Sequence, residues 1–465
     1  MGETRHMNGQ PESRAAVYWL FALFTIGAAL GNLSQTGVNT MLPAIMVEFG
    51  VDVDVGQWLT TGYMLMLGIA VPVATYLMRR FDDRAYAVFS FGLFAVGSLV
   101  DLVAPEFFTM LTGRVLQAIA VGLVVPKMQA IAMAKFPPGR QATAMGIAGI
   151  ALGFAPNIGP TVGGAMEFSF GWRSFFVLMS AITVLLIVLA LLLVKPDALP
   201  DTSARFETVS FVFSTLGFGG VLLGLSQASS YGIASPWVWA PIIIGAVFLV
   251  LFVQRQRVVE QPLMDLRIFK SRIFVGGLTA SLFVFACFMG VTLVIPLYVI
   301  EVLGGTSLDA GLVILPSTIT ALIVNPLSGV MADKTSPRLT TLIFGTFLVV
   351  GSVSCVFVGE DTPLWLLAVW QTIRAIGVSG LIGPLVTFSL SGLNGPLVPH
   401  GSTAQVIGRQ VAATFGTAIM VLLMTLFVDV VATGSASMAL PYQASFAFSA
   451  VMAIGAMLLI IARVK

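Results

Sequence analysis

Five charged residues, Asp101, Arg114, Lys127, Arg374 and Arg409, fall inside long apolar runs, and this is where the chain could do chemistry. A charge set among lipid-length apolar residues is costly to bury, so each needs a partner, a wet cavity or a short reach to the surface. Lys127 and Arg409 lie within about two helical turns of the end of a run and read as snorkelling side chains. Arg114 and Arg374 lie deeper. Each reads either as a structural clamp on neighbouring carbonyls and polar side chains or as part of a relay that follows a proton. Asp101 is the one acid inside a run, close to its end, and the turn that follows is short enough to bring Arg114 within reach. Burial and a nearby arginine act on such a carboxyl in opposite senses, so a partner that leaves during a conformational change lets it take up and release a proton. The other reading of Asp101 is an interfacial residue facing water. Glu167 and Asp429, near the ends of their runs, are weaker candidates.

Other reactive residues are scarce. Cys287 and Cys355 both sit in apolar runs and read as small core residues, not as a disulfide or metal pair. His6 and His400 form no ligand cluster, and no CxxC, HExxH or phosphate-binding loop occurs. No cofactor and no metal are expected, and the chain does not read as an enzyme. Apolar residues make up 57% of the 465 and charged residues 9%, against roughly 25% charged in a soluble domain. This excludes a soluble enzyme, a secreted disulfide scaffold and a disordered regulator. With Lys plus Arg at 23 and Asp plus Glu at 21, no nucleic-acid partner is implied. The chain is an all-α integral membrane protein whose surroundings are the lipid bilayer.

The elements that must position those charges are membrane spans, each needing about 20 mostly apolar residues. Fourteen fit, among them 16–39, 141–165 and 402–428. The first is too long for a signal-peptide core and lacks a cleavage site, so it reads as a retained span. With the N-terminus cytoplasmic, every Lys and Arg except Arg114, Arg173 and Arg374 falls on or near the inner side, while the acids divide almost evenly. An even count then puts both termini inside. The chain also repeats itself. Residues 72–84 laid over 326–338 match Pro72 with Pro326, Arg80 with Lys334 and Arg84 with Arg338, and Arg114 and Arg374 sit alike in the second span after that turn. A half-length repeat marks a transporter of two similar six-helix bundles with the pathway between them. The expected organisation is a cytoplasmic tail at 1–15, a bundle at 16–194, a linker with two additional spans at 195–272, a second bundle at 273–463 and a tail at 464–465.

Several motifs carry a family resemblance over essentially the whole chain. Gly159-Pro160-Thr161-Val162-Gly163-Gly164 in the fifth span matches a GPxxGG antiporter motif. Gln57-Trp58-Leu59-Thr60-Thr61-Gly62-Tyr63 opens the second span, Arg114-Val115-Leu116-Gln117 fits an arginine motif in the fourth, and Trp172-Arg173 opens the sixth. Gly329, Asp333 and Arg338 fit a cytoplasmic GxxxDxxxxR turn. The chain thus resembles the major facilitator superfamily, in its fourteen-span drug/proton antiporter branch of the EmrB/QacA type. The resemblance implies the major facilitator fold, two six-helix bundles plus two extra helices, and export driven by the proton gradient. Two departures stand out. Ser34 occupies the first-span position where many members carry aspartate, in Ser34-Gln35-Thr36-Gly37-Val38-Asn39-Thr40-Met41-Leu42-Pro43, which is closer to the lincomycin-resistance subgroup. Arg79 stands where the first cytoplasmic turn wants aspartate, and Asp82 and Asp83 follow. What the family assigns to those two acids does not transfer.

The fifth span is stripped by Gly149, Gly153, Gly159, Gly163 and Gly164 for close helix approach and bent by Pro156 and Pro160, which suits either tight packing or a bend that changes with state. At the cytoplasmic turns Arg80, Arg84, Asp333 and Arg338 are candidates for gating, with Asp333 expected to cap the next helix and to pair with Arg338 or a basic neighbour. Candidate cavity residues are Ser34, Gln35, Asn39, Gln57, Tyr63, Gln117, Asn157, Tyr298, Asn325 and Gln371, with Phe and Met around them. Such a mix suits a small amphipathic substrate, neutral or weakly basic, carried by a monomer against protons. A proton-coupled multidrug exporter in a bacterial plasma membrane is the leading expectation. A proton-coupled exporter of a lipid, siderophore or other metabolite is the alternative, and a membrane sensor without transport ranks last.

Overall fold

The computed structural model describes residues 14–196, 203, 205–232, 235–432 and 437–464, with backbone alone at 14, 53–54, 228–231, 307 and 428–432. Fourteen helices are long and apolar enough to cross a membrane, and no strand occurs among the described residues. In chain order they are α1 (Arg14–Phe49), α2 (Trp58–Arg80), α3 (Asp83–Val103), α4 (Phe107–Ala134), α5 (Gln141–Phe170), α6 (Arg173–Leu193), α7 (Thr208–Tyr231), α8 (Pro236–Gln256), α9 (Arg272–Glu301), α10 (Ser307–Lys334), α11 (Pro337–Ser354), α12 (Leu364–Ser391), α13 (Val398–Ala432) and α14 (Leu440–Arg463). In lipid a backbone must satisfy its own polar groups, which is why every crossing is helical. An even number of crossings brings the start of α1 and the end of α14 to one end of the molecule.

Helices α1–α6 pack on one another, as do α9–α14, and the α7–α8 hairpin lies outside both with α7 against α2 and α13. The hairpin is stitched by glycines: a Cβ on Gly220 would come 2.7 Å from the Pro241 carbonyl, and one on Gly245 would come 2.7 Å from the Val221 nitrogen. One continuous apolar core runs through both bundles, and a smaller one around Val294, Tyr298, Tyr442 and Phe446 fills the second bundle at the end away from the termini. The outward faces of α6 and α8 expose Val184, Leu185, Leu192, Ile243, Ile244 and Val247, the side chains lipid would cover.

The first helix is longer than its apolar run. It continues to Phe49, where Gly50 at φ 62° ends it. The extension holds Glu48, which accepts from the Trp172 indole at 2.6 Å and pairs with Arg173, tying α1 to the start of α6.

Candidate functional site

Arg114 anchors a polar network inside the first bundle. Its Nη1 donates to Ser34 Oγ and to Gln117 Oε1, both at 2.7 Å, and its guanidinium lies 4.2 Å from the centre of the Tyr63 ring. Tyr63 in turn donates to the Gly31 carbonyl at 2.8 Å, and Gln117 Nε2 donates to Ser98 Oγ at 2.9 Å. Arg114, Ser34, Tyr63, Gln117 and Ser98 are all fully buried. Asp101 belongs to the same place. A Cβ on Gly113 would come 2.2 Å from Asp101 Oδ1, so the carboxyl lies against the backbone beside Arg114. It is not interfacial: it is 0% exposed, and among the described residues neither oxygen has a hydrogen-bond partner, nor does Arg114 Nη2. An ionised carboxylate in apolar surroundings costs several kcal/mol unless a donor or cation meets it.

The second bundle repeats the arginine but not the acid. Arg374 Nε donates to Gln371 Oε1 at 3.0 Å and Nη1 to the Cys287 carbonyl at 3.3 Å, so it clamps α12 to α9 as Arg114 clamps α4 to α1. Cys355 stands where Asp101 stands, 254 residues on (355 minus 101), and Gly97-Ser98 recurs as Gly351-Ser352.

Two side chains expected to snorkel do not. Lys127 Nζ pairs with Asp83 at 2.5 Å, Lys135 joins the same carboxylate at 2.7 Å, and Lys127 also lies over the Tyr86 ring. An acid at the start of α3 makes a short reach to the surface unnecessary. Asp83, buried between two lysines, escaped the sequence reading; the signal was two cations eight residues apart, one in the last turns of α4 and one just past its end, facing the Asp82-Asp83 turn. Arg409 is 5% exposed, with Nε and Nη1 unpartnered and its guanidinium 4.9 Å from the Phe285 ring. Its guanidinium thus lies against α9.

Helix α5 changes neighbours along its length. Near the end that carries the termini it packs on α10 and α12 of the other bundle; beyond residue 155 it packs on α1. The backbones nearly touch on both sides. A Cβ on Gly329 would come 2.3 Å from the Ala142 carbonyl, one on Gly146 would come 2.6 Å from the Asn325 carbonyl, and one on Gly163 would come 2.3 Å from the Gly37 carbonyl. Between the two faces lies a π-helical turn, Ile150–Phe154. Its cause is Pro156, which has no N–H to offer the Leu152 carbonyl; Ala155 N–H instead reaches back to Ile150. Pro160 likewise orphans the Pro156 carbonyl, and the Thr36 hydroxyl donates to it at 2.8 Å, while Thr40 donates to Pro160 at 3.2 Å. Two threonines four apart on α1 thus serve two prolines four apart on α5, a pairing the sequence reading also missed.

The described hydrogen bonds that join the bundles lie towards the end with the termini. Thr75 and Thr403 hydroxyls are 2.8 Å apart. Asp333 accepts from the Ala142 N–H at 3.1 Å and from the Thr143 N–H and hydroxyl at 2.6 Å each. Asp333 therefore caps α5 across the seam instead of α11. Ser336 already caps α11, accepting from the Leu339 N–H at 3.1 Å, and among the described residues Asp333 forms no ion pair with Arg338. Arg80 and Arg84 are half-buried at the same end. There the bundles are shut against each other.

Just beyond this closure a narrow recess, with room for about one water, lies between Gly153 and Asn157 of α5 and residues of α9, α10 and α12, among them Phe288, Thr292, Ser317, Gln371 and Ser379. Asn157, Thr292 and Ser317 donate to carbonyls of their own helices, which leaves oxygen lone pairs and amides facing an otherwise apolar space. Among the described residues no charged side chain lines it. Of the ten cavity candidates, Asn157 and Gln371 line this space, and Asn325 sits beside it, Nδ2 3.5 Å from a Cβ built on Gly153. Ser34, Tyr63 and Gln117 belong to the Arg114 network. Gln35 is half-buried, and Gln57 and Asn39 are exposed, Asn39 accepting from Thr60 at 2.7 Å. Tyr298 is far from the recess, donating to the Gly359 carbonyl at 2.5 Å. Glu167 is half-buried, and the Asp429 side chain lies outside the described residues.

Comparison with known proteins bears on this arrangement. The family model described as Major Facilitator Superfamily matches residues 24–417. The chain is 32% identical to the uncharacterized MFS-type transporter YcnB of Bacillus subtilis, over 87% of this chain and 86% of that one. It is 33% identical to the lincomycin resistance protein LmrB of the same organism, over 85% and 83%. A crystal structure of the human organic anion transporter MFSD10 superposes with a TM-score of 0.67 at 13% identity, covering 97% of this chain and all of that one, a likeness of fold.

Proposed function

Because this chain belongs to the Major Facilitator Superfamily, in the branch with lincomycin- and multidrug-resistance proteins, we propose that it exports amphipathic drugs or antibiotics in exchange for protons. The observation that carries the reading is Asp101, a buried carboxyl with no donor, packed beside Arg114 in a bundle whose first-span acid position is Ser34. With the bundles shut at the end with the termini, Asp101 holds a proton. When the bundles rock, α3 and α4 shift against α1, Arg114 or water meets the carboxyl, and the proton leaves. The π turn and glycine faces of α5 let that helix follow either bundle. Cargo enters where the recess beside Gln371 and Asn157 widens as the bundles part, and its apolar walls and scattered acceptors suit a varied amphipathic ligand. The distribution of Lys and Arg supports both termini facing the cytoplasm of a bacterial plasma membrane, so the arrangement described faces outward. The proton gradient drives the cycle without a cofactor, in a monomer.

The test is proton flux in proteoliposomes, with an internal pH dye reporting decay of an imposed gradient as drugs, lipids and siderophores are added singly. A drug that triggers decay in wild type but not in Asp101→Asn, while still binding both, supports the reading. Decay with a lipid or siderophore alone moves the cargo to a metabolite. Normal flux in Asp101→Asn removes the proton from that site.

A further inference from the structure

We propose that Arg409, with Gln405 and Ser281, forms a binding site for the carboxylate of an amphipathic ligand, on the stretch of pathway that closure between the bundles conceals. Charge is the first argument. In the first bundle every buried cation has an acid beside it: Asp83 pairs with Lys127, and Asp101, which becomes charged when its proton leaves, packs beside Arg114. In α9–α14 two guanidiniums, Arg374 and Arg409, are buried, and none of the buried residues described in those helices is an acid. A buried guanidinium without a counter-charge is costly, and a site that keeps one is built to meet a negative group arriving from elsewhere.

Geometry narrows the place to Arg409. Arg374 spends Nε and Nη1 on Gln371 and Cys287 and leaves Nη2 without a partner, whereas among the described residues Arg409 has no acceptor for either Nε or Nη1 and lies over the Phe285 ring. Gln405 lies one turn earlier on the same face of α13; its Nε2 donates to Ser389, and its Oε1 is unpartnered. Ser281 lies one turn before Phe285 on α9, with its hydroxyl also unpartnered. Gln129 on α4, a first-bundle helix that packs on α13, has both amide atoms unpartnered as well. Buried orphan groups gathered near the seam are what a wet, ligand-bearing surface leaves when it closes. An aromatic face, a guanidinium and two neutral polar groups fit a carboxylate on an apolar body. They oppose a strong cation and turn the cargo from weakly basic towards acidic.

This names a ligand class for the proposed exporter and rests on that reading, but binding is measured without a gradient, so its failure is separate from a failure of proton coupling. The probes are pyrenebutyrate and the neutral pyrenebutanol, titrated by fluorescence against the full chain in nanodiscs of zwitterionic lipid, with empty discs subtracted. Wild type is expected to prefer the carboxylate by about tenfold, and Arg409→Gln to erase the preference while still binding the alcohol. Gln405→Glu supplies an internal carboxylate one turn from the guanidinium; it is expected to melt higher than wild type and also to lose the preference, so the test survives if Arg409→Gln does not fold. Equal binding of both probes to wild type, or a preference kept in Gln405→Glu, overturns the proposal. Repeating the titration with phosphatidylglycerol in the discs separates cargo from lipid. A preference abolished by that lipid assigns the site to a headgroup and overturns the cargo assignment.

Discussion

Ser34 shows how one substitution redistributes a site. As a neutral acceptor it satisfies Arg114 without neutralising it, so the only acid left for that guanidinium among the described residues is Asp101, which contacts the helix at Gly113. Two outcomes are expected. Ser34→Ala leaves a buried guanidinium N–H short of an acceptor and should cost about 1.5–3 kcal/mol, read as a lower melting temperature of the purified protein. Ser34→Asp in an Asp101→Asn background should restore drug-dependent proton flux, because it returns an acid to the position whose side chain meets Arg114 Nη1. A double variant as inactive as Asp101→Asn alone would mean that the position of the acid matters more than its charge. In the second bundle Cys355 at the matching position cannot play this part, since a buried thiol is a poor proton carrier beside a carboxyl. The repeat is preserved in shape and broken in chemistry.

Among the elements, α5 has two glycine faces, one for each bundle, separated by the π turn that Pro156 imposes. Gly329→Val drives a side chain into the Ala142 carbonyl, so the end with the termini should no longer shut. The expected shift is at least about tenfold, or about 1.4 kcal/mol, towards the open form. It would be read as faster labelling of a Thr75→Cys reporter by an impermeant maleimide; unchanged labelling would count against α5–α10 as the closing surface. The α7–α8 hairpin has its own clamp. Glu207 accepts from Arg255 at 3.0 Å and from the Ser210 hydroxyl at 2.7 Å, and the arginine, more than the serine, holds its carboxyl below the usual range. A depressed carboxylate stabilises at and above its ordinary titration range and loses that contribution as pH falls through the lowered value. Wild type should therefore melt above Glu207→Gln near neutrality, and the two should converge in acid.

For the whole molecule, the two bundles meet through Thr75–Thr403, through Asp333 on the start of α5, and through glycine-lined backbone contact, all towards one end. Transport requires that end to open. A Thr75→Cys/Thr403→Cys pair, oxidised to a disulfide, is expected to stop transport and to release it on reduction. Persistent transport in the oxidised protein would mean that the cycle leaves this seam closed. The hairpin packs on α2 and α13 at once, one helix from each bundle.

Helix number, the half-length repeat and the interior position of Asp101, Arg114 and Arg374 were legible in the residues, because lipid forces apolar runs into helices and makes each interior charge conspicuous. The placement of helix ends was less legible: Glu48 and Trp172 hold α1 together past its apolar run, and that pairing joins residues far apart in the chain. Side-chain partners were least legible of all. Lys127 and Arg409 looked alike by depth, yet one faces Asp83 and the other an aromatic ring, a difference set by helix rotation and not by spacing. Asp333 was readable as a helix cap but not as a cap across the seam. The sequence by itself determined a two-bundle membrane transporter with a few interior charges. Only the tertiary structure decided which charges are answered and which are left open, because that depends on which helix faces meet across the bundle.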